Sequence, residues 1–340
     1  MREQDDREPV LMLIEKSSHC LSFYDVGAGA LLDSIQLPQY PHEFTVDSAR
    51  RHAYVGHYGV RTSANTDPGG ASVLVIDIAE RKLSHAIDCS PYRRLHGIKL
   101  DGSDRLHVLS EAANVMLRFD EPLIDPTPSR ALTTGGLKSH LFTLTRNGEW
   151  AYCVNLLSHT VTKMSPVDAA VAPIPLSPGG KPEGLLLSAD EKTLYVGNRE
   201  TSTLVAIDTE TMTIIGRAPA RRDPARIYGL GDGHLFVANY LDMSVSVIDP
   251  RSLQEIHCLK LRGRPTAACI HNPSGSAFVS IDTDECLQID LHDLVVITSF
   301  KTKSEPDSCF ALDARIVGKS SKLDLKLETA GSPTPMFAES

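Results

Sequence analysis

A strand–turn–strand pattern with a period of about 42 residues occurs seven times in this 340-residue chain, and this repeat restricts the possible fold most strongly. In the clearest copy, residues 180–198 form two apolar runs around a short polar turn. A third strand follows at 203–208 and a fourth at 212–218. Four short strands separated by turn residues form one propeller blade. The sequence therefore predicts an all-β protein, a seven-bladed β-propeller.

The register of the repeat is set by the residue that opens each innermost strand. These residues are His42, His96, His140, Glu183, Ala225, Thr266 and Asp307. They follow one another at intervals of 41 to 44 residues, apart from a first interval of 54. The longer interval contains residues 61–70, which are rich in turn formers, and we interpret them as an insertion above one blade.

The chain starts and ends out of phase with the repeat. It begins at a second-type strand, residues 10–14, and its last repeat segment is a first-type strand, residues 307–313. The C-terminal strand is therefore expected to complete the first blade, because this closure removes exposed sheet edges. We expect one propeller domain over residues 1–319 and a polar tail over residues 320–340, with a composition compatible with disorder.

Composition narrows the range of partners. The net charge of -9 and the pI of about 5.8 disfavour nucleic acid and anionic lipid surfaces. The first apolar run, residues 10–14, is too short for a signal peptide core, and no run approaches a membrane-spanning length. The seven cysteines are odd in number and form no CxxC motif, which favours reduced thiols in a cytoplasmic protein.

Residues 179–208 carry the signature Gly-x-x-Pro-x-Gly, then Ser-x-Asp-x-x-x-Leu-Tyr-Val-x-Asn, then Val-x-Ile-Asp. This pattern resembles the YVTN-type, or lactonase-like, β-propeller repeat family from about residue 9 to residue 313. Members of that family include cell-surface proteins, cofactor-handling proteins, lactonases and ring-opening lyases. The resemblance implies the fold, and it leaves the activity open because one fold hosts many functions.

Three histidines and one carboxylate open the inner strands of four consecutive blades: His42, His96, His140 and Glu183. Because inner strands converge at the propeller axis, these side chains are predicted to share one ion. Imidazole and carboxylate ligands suit a divalent first-row transition metal such as Fe, Zn or Mn. The alternative is that they are polar residues around a water-filled channel.

Further polar residues lie at the same rim, at the ends of second strands or in the loops that enter inner strands. We predict His57 as an acid/base group beside the metal. Candidate substrate-binding residues are Arg226, Lys181, Tyr58 and Tyr240. Four carboxylates are candidates for orienting the histidines through hydrogen bonds: Asp307, Glu15, Glu111 and Asp282.

These features predict a metal-dependent enzyme that acts on a small, anionic molecule. The resemblance to lactonase-like and ring-opening propellers implies lactone hydrolysis or C–O bond elimination, and isomerisation, which uses similar groups, stays open. An iron-dependent oxygenase is an alternative, since propellers of the carotenoid-cleaving type hold iron with histidines, although a carboxylate here replaces one of them. A non-catalytic interaction scaffold, similar to many WD-repeat propellers, is the third possibility.

Overall fold

The computed structural model describes residues 9–313, which form seven antiparallel four-stranded sheets arranged as a β-propeller. From the innermost strand outwards, blade 1 contains β28 (Pro306–Leu312), β1 (Val10–Glu15), β2 (Cys20–Asp25) and β3 (Ala30–Gln36), and blade 2 contains β4 (Pro41–Val46), β5 (His52–His57), β6 (Ser72–Asp77) and β7 (Lys82–Asp88). Blade 3 contains β8 (Leu95–Leu100), β9 (Leu106–Ser110), β10 (Val115–Phe119) and β11 (Arg130–Thr133). Blade 4 contains β12 (Ser139–Leu144), β13 (Ala151–Asn155), β14 (Thr160–Met164) and β15 (Ile174–Leu176). Blade 5 contains β16 (Pro182–Leu187), β17 (Thr193–Asn198), β18 (Thr203–Asp208) and β19 (Thr213–Pro219). Blade 6 contains β20 (Pro224–Gly229), β21 (Leu235–Asn239), β22 (Ser244–Ile248) and β23 (Glu255–Lys260). Blade 7 contains β24 (Pro265–His271), β25 (Ser276–Ile281), β26 (Glu285–Asp290) and β27 (Val295–Lys301).

Helical structure in this range is limited to a single 3-10 turn, Asn272–Ser274. Within residues 9–313 no helix has the length and apolar character needed to cross a membrane.

The seven-bladed architecture predicted from the repeat is confirmed, including the closure of blade 1. β28 pairs with β1, with Val10 opposite Leu312 and Leu13 opposite Cys309. The two ends of the propeller are therefore joined by antiparallel backbone hydrogen bonds. The tail predicted at residues 320–340 lies outside the described residues.

The apolar core lies between neighbouring blades, because both faces of each middle strand are covered. Met12 and Phe23 of blade 1, for example, pack in one cluster with Val55 and Leu74 of blade 2. All four side chains are at most 1% exposed. The outermost strands have exposed faces, and in β7 most residues face solvent. This pattern leaves the innermost strands to line the axial channel.

Every inner strand contains a register irregularity near its start, at the residue that opens it. In β16, Pro182 pairs with Asn198 whereas Gly184 pairs with Gly197, so Glu183 has no partner in the ladder. Equivalent shifts occur in the other six blades. A β-bulge redirects the side chain of the extra residue, and bulges are common next to active sites. The side chains of the opening residues therefore point in a different direction from those expected in a regular strand.

The closure of blade 1 gives a direct test of the fold. A chain that ends at Glu305 lacks β28, so β1 becomes an edge strand and Leu11 and Leu13, which are fully buried, lose part of their cover. We expect this chain to be aggregated or to unfold at a midpoint at least about 10 °C lower. Thermal unfolding measures the difference, and the matched control is a chain that ends at Asp313. Equal stability of the two chains would contradict this role of β28.

Candidate metal centre at the propeller axis

Three histidine rings lie against one another where the inner strands of blades 2, 3 and 4 begin. The ring centroids of His42 and His96 are 4.3 Å apart, and those of His96 and His140 are 3.6 Å apart and stacked. His96 is fully buried and the other two are less than one-tenth exposed. Tyr58 packs edge-on against His42 and His96. The structure thus brings together three of the four predicted metal ligands, which we call the histidine layer.

Two ring nitrogens of the histidine layer, His42 Nδ1 and His96 Nε2, have no hydrogen-bond partner within residues 9–313. The other nitrogen of each ring lies near an acceptor. His42 Nε2 lies 3.4 Å from Asp307 Oδ2, and His96 Nδ1 lies 3.0 Å from the backbone oxygen of His140. A buried polar atom without a partner costs about 1–3 kcal/mol and needs an explanation. Metal-ligating histidines have this arrangement, with one nitrogen on a protein acceptor and the other free for the ion.

A carboxylate close to the free nitrogen of His42 belongs to Glu43, the next residue in the chain. Its Oε1 lies 3.8 Å from His42 Nδ1. One ligand atom from each of His42, Glu43 and His96 lies within 4.8 Å of the other two. Ligand atoms about 2.1 Å from a common ion are at most about 4.2 Å apart, so a small inward movement would complete the site. Two imidazoles and one carboxylate fit zinc, iron or manganese.

The protonation state of His42 and His96 suits metal binding. Burial lowers the pKa of His42 and of His96 well below the usual 6.5, and neighbouring positive groups add to the effect. Both rings are therefore neutral at pH 7 with one lone pair available, which is the form that binds a metal ion.

The fourth predicted ligand, Glu183, is held by two arginines. Its Oε2 accepts a hydrogen bond from Arg199 Nη1 at 2.6 Å, and its Oε1 accepts one from Arg226 Nη1 at 3.1 Å. Arg199 also binds Asp223. Both oxygens of Glu183 accept charge-assisted hydrogen bonds, whereas only Oε1 of Glu43 does, so Glu43 is the carboxylate with an oxygen to spare near the histidine layer.

Arg226 crosses the propeller channel. Its Nη2 donates a hydrogen bond to Glu43 Oε1 at 2.9 Å, which connects β20 of blade 6 to β4 of blade 2 on the far side of the axis. The exposed fractions of the Arg226 and Glu43 side chains are only 11% and 17%. The residue predicted to bind substrate therefore also ties two carboxylates together at the centre of the molecule.

The third histidine is oriented by a predicted carboxylate, Glu111. His140 Nδ1 lies 2.8 Å from Glu111 Oε2, and Tyr58 Oη donates to Glu111 Oε1 at 2.8 Å. Burial raises the pKa of Glu111, but the hydrogen bonds from His140 and Tyr58 and the positive charges of His140 and Lys138 together outweigh it, so that the pKa is lowered. The carboxylate on Nδ1 leaves Nε2 of His140 as the ring nitrogen directed away from Glu111, an arrangement found in acid/base histidines.

Within residues 9–313, His57 and Lys181 form no hydrogen bond, ion pair or ring contact with the histidine layer. His57 lines a cavity of about 650 Å³ that is bounded mainly by residues 59–70. Its Nδ1 lies 3.3 Å from Ser72 Oγ. Burial lowers the pKa of His57, so its ring is neutral at pH 7. Lys181 precedes β16, and its backbone nitrogen donates to His159 Nδ1 at 2.8 Å. The roles predicted for His57 and Lys181 stay predictions.

Of the four remaining predicted residues, one contacts the histidine layer and the other three make contacts elsewhere in the described structure. Asp307 contacts the histidine layer, and Lys16 Nζ lies 3.5 Å from its carboxylate. Tyr240 lies between two guanidinium groups, each 5.5 Å from its ring. Glu15 is fully buried inside blade 1, where Tyr24 Oη donates to it at 2.5 Å. Asp282 accepts a hydrogen bond from the backbone of Arg264 at 2.8 Å.

The insertion at residues 61–70 lies over the rim of the histidine layer. Arg61 pairs with Glu305, which precedes β28, at 2.9 Å. At the other side, Lys138 Nζ, which precedes β12, donates to the backbone oxygen of Ser63 at 2.6 Å. The loop thus reaches from blade 1 to blade 4, the blades that supply Asp307 and the three histidines.

Two central residues, Glu43 and Lys99, were not singled out from the sequence. The sequence nevertheless contains a signal for them. The third and fifth positions of the inner strands mostly carry small, apolar or hydroxyl side chains, and the charged residues at these positions are Glu43, Lys99 and Arg226. A charge at such a position faces the axis, since side chains alternate along a strand.

The ion pairs of Glu183 predict a pH dependence of stability. Burial alone raises its pKa, but Arg199, His140 and Arg226 outweigh it and lower the pKa to about 2 from the usual 4.5. A carboxyl group with a depressed folded-state pKa stabilises the fold above pH 4.5, and this contribution is lost as the pH falls towards 2. We expect Glu183→Gln to reduce the free energy of unfolding by about 3 kcal/mol at pH 7 and by less at pH 3.5. Urea unfolding at both pH values measures the gap, and a gap independent of pH would contradict the assignment.

No protein-family model and no curated protein matches this sequence. Among solved structures, the chain is similar to "Dihydro-heme d1 dehydrogenase NirN in complex with DHE", with a TM-score of 0.64 and 13% sequence identity over 91% of this chain and 76% of that chain. Both are β-propellers. At this identity the likeness shows the fold alone, so the resemblance to the YVTN-type repeat stays a prediction.

Proposed function

We propose that this protein is a metal-dependent enzyme that acts on a small, anionic molecule at the histidine layer, with lactone hydrolysis or lyase chemistry as the expected reaction. The supporting observation is the pair of buried nitrogens without partners, His42 Nδ1 and His96 Nε2, together with the nearby carboxylate of Glu43. In a water-filled channel each nitrogen would bind its own water, whereas one metal ion would account for both nitrogens and for the carboxylate beside them.

Each neighbouring group has a role in this proposal. His42, His96 and Glu43 hold the ion, which when bound polarises a carbonyl or activates water. Asp307 and the backbone oxygen of His140 orient the two ligating rings. His140, held by Glu111, moves a proton at its Nε2.

Elemental analysis and a substrate screen test the proposal together. We expect the purified full chain to retain zinc, iron or manganese in near-stoichiometric amount and to open lactones without consuming oxygen. Activity should disappear on chelation and return on adding the metal. Turnover that consumes oxygen with iron bound would favour the oxygenase instead. Neither metal nor turnover after reconstitution would favour a scaffold.

A further inference from the structure

The channel contains a cavity of about 380 Å³ on the far side of the bridge between Arg226 and Glu43 from the histidine layer. Its walls are the third to sixth residues of the inner strands and are largely apolar, with Phe44, Phe142 and Ile227 among them. This volume is near the lower end of the range for small-molecule sites in proteins.

The charges that line this cavity do not balance. Among the charged residues that line it, Glu43 pairs with Arg226 through a hydrogen bond of 2.9 Å. Lys99, at the fifth position of β8, is exposed, and within residues 9–313 no carboxylate lies within 4.0 Å of its Nζ. The channel walls partly desolvate its ammonium group and lower the pKa of Lys99, an effect that Glu43 opposes and Arg226 reinforces. In a chain of net charge -9, the cavity therefore has one unpaired positive charge.

A neutral hydrogen-bond donor lines the same cavity from the opposite wall. The backbone nitrogen of Ala268 donates to Tyr228 Oη at 2.7 Å, which leaves the phenol proton to be donated to a ligand. Burial raises the pKa of Tyr228, so the phenol keeps this proton at pH 7. Lys99 is in blade 3 and Tyr228 in blade 6, so the two groups suit opposite ends of one molecule.

We propose that this cavity binds a small monocarboxylate with an apolar body and a second oxygen acceptor, with the carboxylate on Lys99 and the other acceptor on Tyr228. A single unpaired cation matches a monoanion better than a phosphate dianion. This assignment rests on the proposed function where it takes the bound molecule as substrate or product. Hydrolysis of a lactone, which adds water across the ring ester, gives a hydroxy acid of this class.

Calorimetry on the metal-stripped full chain tests this site without the metal. The probes are 4-oxo-4-phenylbutanoate and its primary amide, which differ in charge and share the ring and the ketone. We expect the acid to bind at least about tenfold more tightly than the amide. Lys99→Met should abolish this preference and Tyr228→Phe should weaken the binding of both probes. The matched control Lys82→Met, on the outer strand β7, should change neither.

Equal binding of acid and amide, no binding of the acid, or unchanged binding by Lys99→Met would overturn the assignment. Displacement of the acid by an equal concentration of inorganic phosphate would also overturn it, because that result indicates a general anion site. Lys99→Met should retain the metal content of the wild type. If the wild-type protein binds the acid but no metal, the proposed metal-dependent function is contradicted and the carboxylate site is not.

Discussion

Replacing His96 by alanine is expected to lower the affinity for the bound metal at least about 100-fold and to abolish activity. His96 is the central ring of the histidine layer, and its Nε2 is one of the two free nitrogens. Without this ring, the ion would have only His42 and Glu43 as ligands from the group. Elemental analysis after dialysis against a limiting metal concentration measures the loss.

A second histidine provides a matched control for this experiment. His85 is exposed on the outer strand β7, so His85→Ala should bind metal as the wild type does. The cavity left by His96→Ala should admit free imidazole, and added imidazole should restore part of the metal content if the variant is folded. Equal metal content in the His96 and His85 variants would rule out His96 as a ligand.

Replacing Arg226 by methionine is expected to reduce the free energy of unfolding by about 3–5 kcal/mol. Arg226 is the hydrogen-bond donor that crosses the channel to Glu43, and it also donates to Glu183. Glu183 keeps Arg199, whereas Glu43 would lose its paired charge in a site that is mostly buried. An uncompensated buried charge is strongly destabilising. Urea unfolding at pH 7 measures the effect.

An exposed arginine with a similar hydrogen-bonding pattern is the control for Arg226. Arg221 donates two hydrogen bonds to Glu255 at 2.7 and 2.8 Å, but both side chains are about one-third exposed. Arg221→Met should therefore cost at most about 1 kcal/mol. Adding Glu43→Gln to Arg226→Met should recover part of the lost stability, since it removes the unpaired carboxylate. If Arg226→Met loses no more unfolding free energy than Arg221→Met, the bridge across the channel contributes no more to stability than an exposed ion pair.

The repeat by itself specified how many blades form and which strand closes the ring. Turn residues at regular intervals fix the strand boundaries, and a first strand that begins at Val10 in the second-strand phase leaves blade 1 one strand short. That strand is β28, and it pairs with β1 as the phase of the repeat requires. These features follow from local patterns and the period, so one sequence suffices to predict them.

The repeat register also identified the histidines, because equivalent positions in successive blades meet at the axis. His42, His96 and His140 occupy the same position in three neighbouring blades, and their rings lie in contact. The register could not show which ring nitrogens remain free. That depends on the bulge at each opening residue and on acceptors such as Asp307.

The sequence alone therefore determined the architecture and the set of residues near the axis, and the tertiary structure decided how their charges pair. Glu183, predicted as a ligand, binds Arg199 and Arg226, while Glu43 faces the free nitrogens. Arg226 and Glu43 are 183 positions apart in sequence, and their contact spans the channel. A repeat period places backbones, but the pairing of buried charges depends on side-chain geometry within a few ångströms, which no local pattern encodes.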